Sequence, residues 1–297
     1  MKTLLVGNFG ARNIGDELIL ASALEDYPDS VVMTVDGEYS QTFTEKEFET
    51  VPFVPTGIRS FLRFLFSAKY QSRILWLNTK IVQVVFPGGG LFAITFRACF
   101  LWFLVFLWMK HLFPHTKVIF EHQGVDSKLN WINRKLTSFV LSRADEVSVR
   151  DEMSRQAVQY YCRREVKNVG DRVQKYVTQH FQPQKEKDKL VLVNAKQPWK
   201  YWDLKNRFPV REKIFIGFDP SDMHFVPQEM QHSALFPKNK TELINLFQKA
   251  EFVVGMRFHS LLLGAFFCSD DKTFVLQKPY SEKVQNFVRE HGLSQLS

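Results

Sequence analysis

One pattern recurs along this chain and limits what it can fold into: a short, mostly apolar run ends at glycine and passes straight into a helix start. Thr3 to Val6 leads into GNFGARNIGDE, Ile81 to Phe86 into PGGGLF, and Glu251 to Val254 into GMRFHSLLLGA. Short apolar runs without polar alternation fit strands buried on both faces, as in parallel sheets. Glycine at the exit allows a sharp turn and the close approach of another group to the backbone. Further strands are expected at 31–35, 117–121, 190–194, 213–217, 224–227 and 272–277, with helices between them. This alternation in both halves predicts an α/β chain of two doubly wound, Rossmann-like domains. A length of 297 residues accommodates both. The crossover is placed at NVGDR, which gives domains of 1–170 and 171–297.

The stretch from Glu251 to Ala265 carries the most chemistry. A strand, a break at Gly255 and a helix start leave backbone N–H groups and a positive helix end available, which favours an anion. Arg257 adds a guanidinium, and His259, two residues on, a proton donor. The competing reading pairs Arg257 with a structural acid and makes His259 a helix cap. Asp16, in the loop after the first strand, suits the first turn of a helix. That loop is neither GxGxxG nor GxxxxGK[ST], so it is not a dinucleotide fingerprint or a P-loop. Arg150 stands at a strand end before a helix that begins near Asp151 and repeats the logic of Arg257; an ion pair with Asp151 or Glu152 is the alternative. His122 and Gln123 lie in a loop after another strand, where a histidine is either a ligand contact or a solvated side chain.

A net charge of +8 and a pI near 9.3 favour an anionic partner. No zinc-finger spacing, RNP-like motif or DNA-binding helix pair is present, so nucleic acid is not expected. Cys99, Cys162 and Cys268 lack CxxC or Cys/His ligand spacing, which points to a reducing compartment and no metal. MKTLLVGNFG runs from strand to glycine turn without the apolar core of a signal peptide, so a cytoplasmic location is expected. Two segments fit peripheral contact with the inner face of a membrane. In 58–77, Arg59, Arg63, Lys69 and Arg73 alternate with Phe61, Phe64, Phe66 and Tyr70, as in an amphipathic surface helix or the basic edge of a domain helix. The stretch 91–109 is more apolar than a one-faced helix requires, yet its uncharged core is too short to span a bilayer.

VGMRFHSLLLGA resembles the signature of the polysaccharide pyruvyl transferases. NIGDELIL, PGGGLF, SRADEVSVRDEMS and KPYSEKVQNF resemble the family's other stretches in the same order, so the likeness covers nearly the whole chain. It implies a GT-B-like arrangement in which the two domains face a cleft that holds the ligand. It also implies transfer of an enolpyruvyl unit from phosphoenolpyruvate, a co-substrate rather than a cofactor, to a sugar hydroxyl of a cell-surface or exopolysaccharide glycan precursor, closing a pyruvate ketal. The acceptor is then a glycan or a lipid-linked sugar. By this resemblance His259 is the catalytic acid, and Arg150, Arg257 and Lys283 bind phosphoenolpyruvate. Asn13, Asp16, Gly88, Gly89 and Gly90 line acceptor-side loops of the first domain, and the second domain holds the donor. Lys196 stands where the family has an arginine at a strand end. The sequence departs from the family in three places: GGGLF lacks the usual polar or acidic follower, VNAKQPW replaces a Gly-Ser-Leu-Arg-like end, and YSEKV replaces YDPKV. A nucleotide-sugar glycosyltransferase on the same plan, or a degenerate non-catalytic member of the family, are the alternatives.

Overall fold

The computed structural model describes residues 2–54, 77, 79–276 and 281–296. The chain divides into two units, one formed by Met1–Ala11, Ile19–Gln41 and Lys46–Arg172, the other by Arg12–Leu18, Thr42–Glu45 and Val173–Ser297. The start of the first helix thus groups with the second unit.

The first unit is a parallel sheet of β1 (Lys2–Val6), β2 (Ser30–Thr34), β3 (Glu49–Pro52), β4 (Ile81–Phe86), β5 (Gly89–Phe92), β6 (Lys117–Val125), β7 (Glu146–Val149) and β8 (Lys167–Asn168). The order is β3-β2-β1-β4-β6-β7-β8, with β5 continuing beside β6 where β4 leaves off. Leu4, Leu5 and Val6 are fully buried, as expected of a strand covered on both faces. The helices are α1 (Ile14–Asp26), α2 (Gly37–Thr44), α3 (Phe96–Leu112), α4 (Trp131–Arg143), α5 (Glu152–Cys162) and α6 (Arg172–His180), the last crossing into the second unit. Aromatic packing fills the space under α3: the rings of Phe86 and Phe120 stack at 4.2 Å, and Trp102 meets Phe86 edge-on. Such buried rings stabilise by about 2 to 3 kcal/mol each relative to exposure.

Two expectations change here. The apolar stretch 91–109 is not one helix: Leu91 and Phe92 finish β5, and α3 begins only at Phe96. The basic aromatic stretch 58–77 lies outside the described residues except for Leu77. Among the described residues, no helix is long and apolar enough to cross a membrane.

The second unit repeats the plan with β9 (Leu190–Val193), β10 (Glu212–Ile216), β11 (Ala234–Leu235), β12 (Phe252–Gly255), β13 (Thr273–Val275) and β14 (Ser294–Gln295), in the order β11-β10-β9-β12-β13-β14. Its helices are α7 (Tyr201–Arg207), α8 (Lys240–Lys249), α9 (Phe258–Cys268) and α10 (Glu282–Glu290). The strand expected at 224–227 is absent. Two 3₁₀ turns, Pro220–Phe225 and Gln228–Ser233, take its place. Asp219 starts the first of them by accepting from the Ser221 N–H, and Pro220 supplies a preset φ at the first position.

Candidate active site

In the second unit the chain reverses its winding between β9 and β12, the place where open α/β sheets bind ligands beyond the carboxyl ends of their strands. Asn194 and Lys196 follow β9, Asp219 and Asp222 follow β10, and Arg257 and His259 follow β12. Arg257 is the N-cap residue of α9 and His259 its second helical residue. The Arg257 side chain does not cap this helix, and a helix start of this kind favours an anion.

Arg257 has found a structural acid. Its Nε and Nη2 both donate to the carboxylate of Asp222, which is fully buried. Asp219 stands 4.0 Å from Nη2. Asn194 ties the arrangement together: its Nδ2 donates to Ile216 O at 3.0 Å and Asp222 Oδ2 at 3.1 Å, while its Oδ1 accepts from Arg257 N. The remaining donor of the fork, Nη1, has no partner among the described residues. Arg257 is therefore a fixed cation with one edge committed and one available. Lys196 sits nearby, where burial first and the Arg257 charge second hold its ammonium below the ordinary lysine range.

The start of α1 belongs to this cluster. Ile14 N donates to Phe218 O at 2.8 Å. Asn13 is the cap of α1, its Oδ1 accepting from Gly15 N at 3.0 Å and, more weakly, from Asp16 N. Gly15 packs on His259: a methyl group at Gly15 would fall 2.0 Å from His259 Nδ1. Lys283, near the start of α10, has its Nζ 5.5 Å from the centre of the Phe258 ring, one residue from His259.

A second group of expected residues assembles in the first unit. Gly88, between β4 and β5, and Gly89, the first residue of β5, have φ of +140° and +103°, conformations that side chains rarely adopt. Gly90 lies within β5. Arg150 follows β7 with its side chain only 3% exposed; its Nε donates to Asp151 at 3.1 Å and its Nη1 stands 3.9 Å from Asp171. The Asp151 pairing weighed from the sequence is thus present, and Asp151 also caps α5 through Ser154 N. Gly124 is required for this placement, because a methyl group there would fall 2.4 Å from Arg150 Nη2. His122 is neither in a loop nor solvated. It lies within β6, 7% exposed, with φ of +50° and its Nδ1 2.7 Å from Gly170 O. A carbonyl only accepts, so Nδ1 carries the proton of the neutral ring. Burial pushes this histidine below its ordinary pKa.

The structure thus brings Arg257, His259, Lys283 and Asn13 into one unit, and Gly88, Gly89, Gly90 and Arg150 into the other. Sequence reading missed Asp222, Asn194 and Gly15 as organisers of the first group and Gly124 of the second. The FDPSD run held a usable signal, an aspartate and proline opening a turn with a second aspartate three residues on. Gly124 had only its position after a strand.

Two parallel Rossmann-like sheets, one with a cation and a histidine at a helix start beyond its switch point, define a protein on the plan of the GT-B enzymes. Solved structures agree on the fold. A Listeria monocytogenes protein assigned as a UDP-N-acetylglucosamine 2-epimerase has a TM-score of 0.59 at 11% identity, covering 100% of this chain and 83% of that one. The Methanocaldococcus jannaschii UDP-GlcNAc 2-epimerase, in complex with UDP-GlcNAc and UDP, has a TM-score of 0.58 at 14% identity, covering 100% and 89%. Anabaena HepE, in complex with UDP and glucose, also has a TM-score of 0.58 at 14% identity, covering 100% and 85%. No curated protein matches by sequence. The model of the polysaccharide pyruvyl transferase family matches residues 13–267, and the chain belongs to that family. By class it is a transferase acting on sugars.

Proposed function

We propose that this protein transfers the enolpyruvyl unit of phosphoenolpyruvate to a sugar hydroxyl and closes a pyruvate ketal on a glycan or lipid-linked acceptor. The observation that carries this reading is the pairing, at the start of α9, of a fixed Arg257 whose Nη1 has no partner among the described residues with His259 two residues on.

Phosphoenolpyruvate brings a carboxylate and a phosphate, and Arg257, Lys196, Lys283 and the first N–H groups of α9 are the groups assigned to hold them. His259 gives a proton to the methylene carbon, which leaves positive charge on the carbon bearing the phosphate. A sugar hydroxyl adds there and loses its proton. The carbon–oxygen bond to phosphate then breaks, and a second hydroxyl closes the ketal, releasing its proton with inorganic phosphate. In this reading Arg150, buried between Asp151 and Asp171, shapes the Gly124 backbone rather than holding the phosphate. Gly88, Gly89 and Gly90 are assigned to the acceptor, and Asn13 and Asp16 to holding the α1 start under His259. The reaction belongs with glycan precursors assembled in the cytoplasm.

The structural neighbours solved with UDP keep a nucleotide-sugar donor in view, so the test must separate the two. Thermal shifts of wild type and Arg257→Ala are measured with phosphoenolpyruvate and with UDP-, GDP- and CMP-sugars. A donor at a hundred times its dissociation constant adds about 2.7 kcal/mol. Stabilisation of the wild type alone by phosphoenolpyruvate is expected. Stabilisation by a nucleotide sugar instead makes it a glycosyltransferase, and no response to any donor favours the non-catalytic alternative.

A further inference from the structure

We propose that the outer face of α3 docks in the plane of an anionic lipid surface. Along α3, Cys99, Trp102, Val105, Phe106 and Met109 are buried and form the core side. The opposite side carries Phe96, Phe100, Leu104 and Leu107, where a surface helix ordinarily presents polar residues, with Phe103 at the edge between this face and the core. Phe96 is 51% exposed, Phe100 40% and Leu107 39%. The first three rings form a ladder, with centroids 5.4 Å apart for Phe96 and Phe100 and 6.4 Å for Phe100 and Phe103. The band continues at its amino-terminal end. Asn133 Nδ2 donates to Ile94 O, bringing the start of α4 beside Ile94, and Trp131, Ile132 and Ile94 are all exposed there. A contiguous apolar surface of this kind marks a contact site.

Charge selects the occupant. Helices α3 and α4 carry Arg97, Lys110, Arg134, Lys135 and Arg143 and no aspartate or glutamate. Lys110 is paired with Asp145 beyond α4, and Lys135 lies 5.0 Å from the Trp131 ring centre. A second copy of the chain seated face to face would set these like charges against one another. Anionic headgroups complement them, and Trp and Phe are the side chains that settle at the boundary between headgroup and acyl chain. The helix lies on the surface rather than crossing it, because its other side is committed to the core of the first unit. This inference does not depend on the donor chemistry proposed above.

The test is co-sedimentation of the full chain with vesicles of phosphatidylcholine alone and with about one third phosphatidylglycerol, comparing wild type, Phe100→Glu with Leu107→Glu, and Arg97→Glu with Lys135→Glu. Each basic residue near such a surface contributes roughly a fivefold gain in binding. The expected result is at least tenfold tighter binding of wild type to the anionic vesicles, lost at least tenfold in both variants at unchanged melting temperature. Because Phe100 and Leu107 are substantially exposed, their replacement is compatible with folding; Leu107→Ser provides a milder version should the double variant unfold. No binding to either vesicle overturns the proposal, as does undiminished binding of the folded variants. A wild-type dimer in solution that the Phe100→Glu, Leu107→Glu change splits into monomers overturns it in favour of a second copy.

Discussion

The backbone of Gly15 lies against the imidazole of His259, close enough that a methyl group on Gly15 would fall 2.0 Å from Nδ1 and 2.8 Å from Cε1. Two stretches nearly 250 residues apart in the chain meet here, the glycine of NIGDE and the histidine of RFHS. Gly15→Ala must move the ring, since the other side of the contact is helix backbone capped by Asn13. A misplacement of about 1 Å costs on the order of a hundredfold in turnover. We expect that loss in kcat/KM with phosphoenolpyruvate, with the far-ultraviolet circular dichroism unchanged. Normal turnover would show that the start of α1 does not position His259.

Asp222 is the residue on which Arg257 depends. Its carboxylate accepts from Arg257, from Asn194 Nδ2 and from Phe218 N at 3.0 Å, with no exposure to solvent. Asp222→Ala strands all three donors, and breaking a buried ion pair from one side costs about 3 kcal/mol. A melting temperature lower by several degrees is expected, together with a raised KM for phosphoenolpyruvate. Asp222→Asn, which keeps the shape and one acceptor oxygen, should be milder on both counts. Equal melting of Asp222→Ala and wild type would remove Asp222 from this role.

His122 makes the first unit sensitive to acid. Buried within β6 and near Arg172, its imidazole resists protonation in the folded chain, whereas the unfolded chain titrates at about 6.5. Below that pH the unfolded state binds more protons, so stability falls as pH drops from about 6.5 toward the folded value, and its full contribution is present above it. Glu121 and Asp171 oppose the shift without reversing it. His122→Gln keeps a donor for Gly170 O and does not titrate. Melting measured from pH 8 to pH 5 should fall less in this variant than in wild type; parallel curves would assign the acid sensitivity elsewhere.

What the sequence disclosed follows physical range. Both parallel sheets were legible because buried strands need uninterrupted apolar runs, and LLV, VVF and FVV supply them within a few residues. Arg257 and His259 were legible because a strand, a glycine and a helix start are local events. The partner of Arg257 was not, because Asp222 reaches it only after β10 and β9 pair, and no spacing encodes that approach. The strand expected at 224–227 failed for a local reason: Asp219 and Pro220 open a 3₁₀ turn that outcompetes a short apolar pattern. His122 and Arg150 were underestimated in burial, since Gly124 clears the space for the guanidinium and its contact is visible only in three dimensions.

The cysteines provide a check on both cores at once. Burial raises the thiol pKa of Cys99 and Cys162 and pushes that of Cys268 up to about 11. Cys99 Sγ donates to Ala93 O at 3.1 Å and Cys268 Sγ to Ala250 O at 3.2 Å, so both are held as neutral thiols in the two units. A thiol reagent needs the thiolate and access to it, and these two sites deny both. Cys162 is only partly buried and should react first. With a chromogenic disulfide at pH 8, the native protein is expected to release one equivalent slowly and the remaining two only on denaturation, for three in all. Rapid labelling of Cys268 in the native state would mean that the end of α9, the helix that carries Arg257 and His259, opens far more readily than its packing against Phe247 and Ala250 allows.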